Sequence, residues 1–277
     1  KLIGKTSAGT PVEVFEDVLD CDLLIATGNI EYHYFAGYSG GAKAVMPGIC
    51  TRASIQANHS MMLDKRSVSG NVKDNPVRED IEEAGKMAGI DFIFNVILDD
   101  SKNIIEAVAG KNNEAWLEGV KRYESIYSRE VERPADIVIA SPGGYPKDIN
   151  LYQSQKALEN IKDIAKPGGT IILIASCGEG FGEDVFEEWM GYAKDYGAIS
   201  KRLKDKFVLG GHKAVAVSRV IKDMKVYLYS EFDRSDTEKM GFFKLDDIQS
   251  YLNKAVKEDS NVKITTVPGG RFVRLKS

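Results

Sequence analysis

The sequence predicts an α/β protein with two domains, each built on a mainly parallel sheet flanked by helices. The first observation is length, because 277 residues can form two separate cores. The second is the alternation of short β-branched apolar runs with amphipathic segments of helical period. The third is a charged stretch without periodicity, residues 128–134, which we take as the domain boundary. The predicted domains are therefore residues 1–128 and 134–277.

The composition excludes several classes of protein. Hydrophobic residues at 43% and charged residues at 28% are typical of a globular protein, and the formal net charge is −4. Basic residues are interleaved with acidic ones, so no nucleic-acid partner is expected, and no apolar run is long enough to predict a membrane span. The widely spaced Cys21, Cys50 and Cys177 favour neither disulfides nor a zinc site. A reducing cytoplasm is the expected location.

The first domain is expected to begin its sheet with a buried apolar strand, residues 23–26, that leads into a glycine-rich loop. Thr51 is expected to cap the next helix, which ends near Leu63. Asn75-Pro76 predicts the start of an amphipathic helix that runs to Met87, because proline suits the first helical turn. The pattern then predicts strands over 91–98 and 104–108 and a helix over Asn112–Tyr127.

The second domain repeats strands and helices in alternation, which predicts a parallel sheet. The predicted strands are 136–140, 170–176 and 225–229, and the predicted helices are 148–165, 212–220 and 245–256. Leu151, Leu158, Ile161 and Ala165 form the expected buried stripe of the first of these helices. We expect a final hairpin of residues 263–267 and 272–275 around Pro268-Gly-Gly.

The strongest candidate for a functional site is the segment from Asn29 to His59. It carries two of the three histidines of the chain, His33 and His59, and Lys43 lies between them. Gly37, Gly40 and Gly41 would let main-chain amides approach an anion or a flat ring. Taken alone, each feature has a simpler interpretation. His59 shares a helical stripe with Ile55 and Met62, so it can be a core residue, and Lys43 can simply be solvated.

A second candidate lies near the start of the helix predicted over 148–165. Gln153 and Lys156 are three residues apart and share a face there, beyond the carboxyl end of a strand, where anions are favoured. The simpler interpretation is a solvated helical face. The loop Cys177-Gly-Glu-Gly-Phe-Gly182 is a partial dinucleotide fingerprint, but no acidic residue is evident at the usual later position.

One combination of residues resembles a known family. It consists of His33, then Phe-Ala-Gly-Tyr-Ser-Gly-Gly-x-Lys ending at Lys43, then Met-Pro-Gly, and then His59 in Ala-Asn-His. In order and spacing it resembles the nickel-dependent lactate racemase family. The resemblance implies that Lys43 carries a covalently attached nickel-pincer nucleotide, a pyridinium mononucleotide with sulfur-bearing arms. It further implies the following roles: a nickel ligand for His59, an acid/base for His33, cofactor contacts for Ser39, Gly40 and Gly41, and substrate contacts for Tyr152, Gln153 and Lys156.

The resemblance implies an isomerase, a racemase or epimerase of a small 2-hydroxy acid, with lactate as the default. The reaction would proceed by reversible hydride transfer to the nucleotide in a cleft for cofactor and substrate between the two domains. Lys43 would have to be neutral to form its link to the nucleotide. Cofactor-biosynthesis proteins are the expected partners. We also expect an N-terminal segment before Lys1 that supplies a second catalytic histidine. Two alternatives stay open: a non-catalytic or truncated cofactor-binding module, and an NAD-dependent oxidoreductase that uses the loop at 178–182.

Overall fold

The computed structural model describes residues 1–99 and 101–270 and the backbone of residues 273–275. Its contacts divide the chain into two compact units, Lys1–Tyr127 and Ser128–Ser277. No helix of the described residues is long and apolar enough to cross a membrane. The predicted α/β class is confirmed, and so is the parallel sheet with flanking helices in the second unit. The prediction of a mainly parallel sheet in the first unit is wrong, because the sheet there is mixed.

The first unit combines a small mixed sheet with three longer helices. Its elements are β1 (Leu2–Lys5), β2 (Pro11–Glu13), β3 (Ile25–Asn29), β4 (Tyr32–His33), β5 (Gly37–Tyr38), α1 (Arg52–Ser60), α2 (Pro76–Met87), β6 (Phe92–Leu98), β7 (Ile104–Gly110) and α3 (Asn112–Tyr127). The sheet order is β3-β6-β7, in which β3 runs parallel and β7 antiparallel to β6. Trp116 of α3 and Ile93 of β6 lie in the core between helix and sheet.

The helices of the first unit begin where local sequence signals predict. The Thr51 side chain accepts a hydrogen bond from the Ser54 amide at the start of α1. The Asn75 side chain accepts from two amides of α2, and Pro76 occupies the first turn. The prediction of a buried strand over 23–26 is wrong, because the strand spans Ile25–Asn29 at the edge of the sheet. Ile25 there is 49% exposed.

The second unit is a five-stranded parallel sheet in the order β12-β11-β10-β9-β13. Its elements are β8 (Arg129–Val131), β9 (Ala135–Ala140), α4 (Leu151–Ile161), β10 (Ala165–Ile174), α5 (Asp184–Met190), α6 (Tyr196–Asp205), α7 (Gly211–Asp223), β11 (Lys225–Tyr229), α8 (Arg234–Lys239), β12 (Phe243–Lys244), α9 (Ile248–Glu258), β13 (Ile264–Val267) and β14 (Val273–Leu275). Leu151, Leu158 and Ile161 are buried, which confirms these three positions of the stripe predicted for α4. Ala165 is also buried, but it is the first residue of β10, so the prediction of a helix over 148–165 is wrong at its C-terminal end.

The predicted C-terminal hairpin is wrong. Strand β13 pairs in parallel with β9, and β14 pairs in parallel with β8, inside the segment that we expected to be an irregular linker. The turn at Pro268–Gly270 sends the chain away from β13. The Gly270 amide donates to the Ser141 carbonyl at 2.6 Å, and the Asn160 side chain donates to the Gly270 carbonyl at 2.7 Å. Phe272, which belonged to the predicted hairpin, lies outside the described residues.

Candidate functional site

Lys43 is carried by a one-turn 3₁₀ helix, Gly41–Ala44, which we call the lysine turn. It follows the β4–β5 hairpin and packs against α2, where a Cβ on Gly85 would lie only 2.5 Å from the Ala42 Cβ. Ala42 is fully buried there and belongs to the core. The close approach of turn and helix fixes the position of the Lys43 backbone.

The glycines before Lys43 allow side chains from other parts of the protein to pack closely against the backbone. Gly40 and Gly41 have φ angles of 77° and 59°. A Cβ on Gly40 would lie 2.8 Å from the side-chain oxygen of Asn95, and one on Gly41 would lie 2.9 Å from an Arg78 nitrogen. The Gly41 amide donates to the Asn95 oxygen at 2.7 Å. The space that we expected for an anion is therefore filled by these side chains, and cofactor contact at Gly40 and Gly41 stays a prediction.

Ser39 also stabilises the loop. Its hydroxyl donates to the Asn29 carbonyl at 2.7 Å and accepts from the Glu31 amide at 2.9 Å. The Ser39 carbonyl accepts from the Trp116 indole at 2.8 Å. The hydroxyl, the carbonyl and the backbone amide of Ser39, which donates to the Glu31 carbonyl, are thus all engaged in the fold. Its contact with a cofactor likewise stays a prediction.

The Lys43 side chain is half-buried, and its amine is easier to deprotonate than that of an ordinary lysine. Burial, followed by the positive charge of Arg78, lowers the pKa of Lys43 to about 8. In the described part of the chain, the Lys43 amine has no hydrogen-bond partner. The neutral lysine that the predicted covalent attachment would require is therefore accessible near neutral pH.

His59 lies on α1 and is oriented by a buried hydrogen-bond network. The Asn58 amide nitrogen donates to the Asp80 carboxylate at 2.8 Å and to the Val77 carbonyl at 3.1 Å, so its oxygen faces the His59 Nδ1, 3.0 Å away. Since that oxygen can only accept, Nδ1 carries the proton and Nε2 carries the lone pair. The Thr6 hydroxyl donates to the same carboxylate. A histidine that binds a metal through Nε2 needs the tautomer found for His59, with the proton on Nδ1.

His33 and His59 contact the same aromatic ring. The Phe35 ring lies 4.6 Å from the His33 ring and 4.8 Å from the His59 ring, in both cases edge to face. His33 Nδ1 accepts a hydrogen bond from the Ala36 amide at 3.2 Å, so the neutral ring carries its proton on Nε2. In this state His33 can donate a proton, whereas taking one up at Nε2 requires the other tautomer.

In the second unit, the three predicted substrate residues lie in the first turns of α4; we call them the α4 face. Tyr152 is half-buried, and its ring packs edge to face on Phe186. The Lys156 amine donates to the Gln153 side-chain oxygen at 3.0 Å in an exposed contact. The structure thus brings Gln153 and Lys156 together, as their spacing predicts.

Lys213 of α7 supports the α4 face from behind, and the sequence analysis missed it. It is 6% exposed, its amine donates to the Tyr152 carbonyl at 2.8 Å, and it lies 3.3 Å from the centre of the Tyr152 ring. Burial and the charge of Lys156 lower the pKa of Lys213 to about 7, and Glu183 opposes that shift. No pattern in the sequence distinguishes Lys213 from a surface lysine.

The glycine loop at 177–182 is engaged in internal hydrogen bonds. The amides of Cys177 and Glu179 donate to carbonyls at 148 and 149, and the Gly180 amide donates to the Cys177 carbonyl. At the start of α5, the Glu183 carboxylate accepts from the amides at 185 and 186, where a phosphate would otherwise bind. Nearby, His212 is buried and its Nδ1 accepts from the Gly210 amide, as expected for a structural residue. This arrangement does not favour an NAD site.

The residues that hold the lysine turn were also missed by the sequence analysis. Asn95 is 1% exposed between Ile93 and Ile97, so the alternation along β6 places an amide on the buried face. That signal was readable in the sequence. Arg78 is equally buried, beneath the turn, but its burial depends on Trp116 from a distant helix.

Two family models match the chain. The lactate racemase N-terminal domain matches residues 1–70, and the lactate racemase C-terminal domain matches residues 131–274. The lactate racemase of Thermoanaerobacterium thermosaccharolyticum is 34% identical over 280 residues, which cover 98% of this chain and 65% of that protein. The lactate racemase of Lactiplantibacillus plantarum is 38% identical over 189 residues, which cover 66% of this chain and 44% of that protein.

Solved structures agree with the sequence relatives. The lactate racemase apoprotein from Thermoanaerobacterium thermosaccharolyticum superimposes with a TM-score of 0.92 at 33% identity, over the whole of this chain and 68% of that one. A crystal structure of a protein from Thermotoga maritima shares the fold, with a TM-score of 0.71 at 19% identity over all of this chain and 75% of that one. The chain spans less than two thirds of the length of the two curated relatives. Since the C-terminal domain model alone covers more than half of its residues, the chain belongs to the lactate racemase family.

Proposed function

We propose that the chain acts as a racemase or epimerase of a 2-hydroxy acid, with lactate as the first substrate to test. Two relatives named lactate racemase support this proposal. The observation that carries it is the state of the Lys43 amine. This amine belongs to the lysine turn, its pKa is lowered, and it has no hydrogen-bond partner among the described residues. A surface lysine or a structural lysine would not combine these properties.

The proposed cofactor is a nickel-pincer nucleotide, and the easily deprotonated Lys43 amine fits its covalent attachment. When bound, that group supplies a reversible hydride acceptor, which avoids a carbanion beside the substrate carboxylate. The described residues contain no cluster of three or more His, Cys, Asp or Glu side chains arranged for a metal. The family resemblance makes His59 the proposed protein ligand, and its Nε2 lone pair would suit nickel held otherwise by soft donors of the nucleotide.

The remaining residues would act on the substrate. His33 would act on the substrate hydroxyl through Nε2. It would donate a proton in the tautomer described above and accept one after the ring has changed to the other tautomer. On the α4 face, the Lys156 ammonium and the Gln153 amide would bind the substrate carboxylate, and the Tyr152 hydroxyl is a further donor. The proposal includes cofactor-biosynthesis proteins as partners and a reducing cytoplasm, in which the free thiols of Cys21, Cys50 and Cys177 would persist.

The test is intact mass and nickel content of the protein produced together with cofactor-biosynthesis proteins. We expect a nucleotide-sized adduct on Lys43, no adduct in Lys43→Ala, and an adduct with little nickel in His59→Ala. Lys86→Ala, which removes an exposed lysine of the same unit, is the matched control and should keep both. Racemisation of lactate and other 2-hydroxy acids is then measured on the loaded protein. An unmodified Lys43 under these conditions would overturn the proposal.

A further inference from the structure

Arg78 is a fully buried cation directly beneath the lysine turn. Its Nη1 donates to the carbonyls of Tyr38 at 3.3 Å and Gly40 at 3.2 Å, one on each side of Ser39. Its guanidinium lies 3.5 Å from the centre of the Trp116 ring, and its Nη2 donates to Glu82, one helical turn away. These contacts hold the guanidinium in a fixed position.

The same contacts join Arg78 to Lys43. The Gly40 carbonyl accepts from Arg78 and also from the Lys43 backbone amide, at 3.3 Å, so one oxygen links the guanidinium to the start of the lysine turn. Three elements pack on this turn: α2, α3 and β3. Among the described residues, α2 contributes the charges of Arg78 and Glu82, α3 contacts the glycine segment through Trp116, and β3 has no charged residue.

The ion pair with Glu82 does not by itself explain a cation at this position. Buried ion pairs are commonly no more stabilising than well-packed apolar side chains. Arg78 has a further cost, because within the described part of the chain its buried Nε has no hydrogen-bond partner. A buried positive charge that is kept at this cost, holds the turn of Lys43 and acts on the Lys43 amine through its charge points to an electrostatic role.

We infer that Arg78 is a positioning residue for Lys43: it fixes the turn that carries the amine, and its charge favours the neutral, nucleophilic form. Glu82 is paired with Arg78, so its negative charge partly offsets the positive charge of the guanidinium. The use of that nucleophile for cofactor attachment rests on the proposed function, but the activation itself does not.

The lowered pKa of Lys43 supports this inference. With a pKa of about 8, roughly a quarter of the amine is neutral at about pH 7.5, against about 0.1% for an ordinary lysine. Removal of the Arg78 charge should raise the pKa of Lys43, and removal of the Glu82 charge should lower it. A purely structural role for the pair predicts no such opposite changes.

The experiment measures acetylation of Lys43 in the protein without cofactor. N-hydroxysuccinimidyl acetate is added from about pH 6 to about pH 10, and peptide mass spectrometry gives the initial rate at Lys43. In this reaction the amine nitrogen bonds to the acetyl carbon, N-hydroxysuccinimide leaves, and the amine proton passes to the buffer. For the protein without substitutions, we expect the acetylation rate of Lys43 to reach half of its maximum near pH 8. At about pH 7.5 we expect roughly tenfold slower labelling in Arg78→Met and about threefold faster labelling in Glu82→Gln.

Arg122→Met and Glu118→Gln are the matched controls, because they break an exposed arginine–glutamate pair on α3. Neither substitution should change the pH at which Lys43 acetylation is half-maximal. Thermal unfolding establishes that each variant is folded, and Glu82→Gln keeps the test valid if Arg78→Met does not fold. An unchanged pH of half-maximal acetylation in Glu82→Gln, or a change of the same sign in both variants, would overturn the inference. Since no nickel is involved, this result is independent of the adduct experiment.

Discussion

The candidate metal ligand of the first unit, His59, and the α4 face of the second unit differ in how strongly their surroundings fix them. Around His59, Asn58 and Asp80 are almost fully buried and joined by hydrogen bonds, so the imidazole is oriented before any ligand binds. On the α4 face, Gln153 and Lys156 make one exposed contact with each other. The residues around His59 are thus fixed before any ligand binds, whereas Gln153 and Lys156 are free to rearrange around one. Under the proposed function, this difference would suit a permanently attached cofactor in the first unit and an exchanging substrate on the α4 face.

The two lysines with lowered pKa values show the same contrast. Lys43 has a positive neighbour and, in the described ranges, no hydrogen-bond partner, which suits an amine that reacts. Lys213 donates to the Tyr152 carbonyl and lies over the Tyr152 ring, which suits an amine that supports its neighbour. Burial is the leading cause of both low pKa values. A lowered lysine pKa is therefore not by itself a sign of reactivity, and the hydrogen-bond partners separate the two roles.

The largest expected effect follows from breaking the network behind His59. Asn58→Leu removes the acceptor that keeps the proton on Nδ1, so the Nε2 lone pair is no longer secured. We expect nickel affinity of the loaded protein to fall by roughly 10- to 100-fold, measured by competition with a chelator. Asn103→Leu, at an exposed turn of the same unit, is the control. Unchanged nickel affinity in Asn58→Leu would show that the network does not act on the metal.

Local signals in the sequence predict several of the helices that surround the candidate sites. Asn75-Pro76 predicts the start of α2, and the amphipathic period predicts α3 over its observed length. The lysine turn, by contrast, is held by Arg78 and Asn95, whose roles depend on side chains distant in sequence. The same reason explains the wrong C-terminal hairpin, because β14 pairs with a strand more than a hundred residues earlier. Short helices such as α8 (Arg234–Lys239) were missed because six residues carry too little periodicity.

A smaller effect is expected when the support of the α4 face is removed. Lys213→Met keeps an apolar chain beneath Tyr152 but removes the hydrogen bond to its carbonyl and the charge over its ring. These contacts contribute about 1–2 kcal/mol, so we expect KM for the 2-hydroxy acid to rise roughly tenfold. Because Lys213 acts through Tyr152, kcat should change less than KM. Lys222→Met, at the exposed end of the same helix, is the control. A fall in kcat with unchanged KM would contradict a positioning role.

The smallest effect is expected for Gln153→Ala. Its contact with Lys156 is exposed, so the free energy of unfolding should change by no more than about 0.5 kcal/mol. If the α4 face binds a substrate carboxylate, the same change should still raise KM about threefold, because one of the donors to that carboxylate is lost. Gln249→Ala removes a glutamine that also makes one exposed side-chain contact, with Asn253 on α9, and should alter neither quantity. Denaturant unfolding and steady-state kinetics measure the two quantities separately. A loss of stability without a change in KM would assign Gln153 to the fold rather than to the substrate, and would leave Lys156 as the remaining charged candidate on the α4 face.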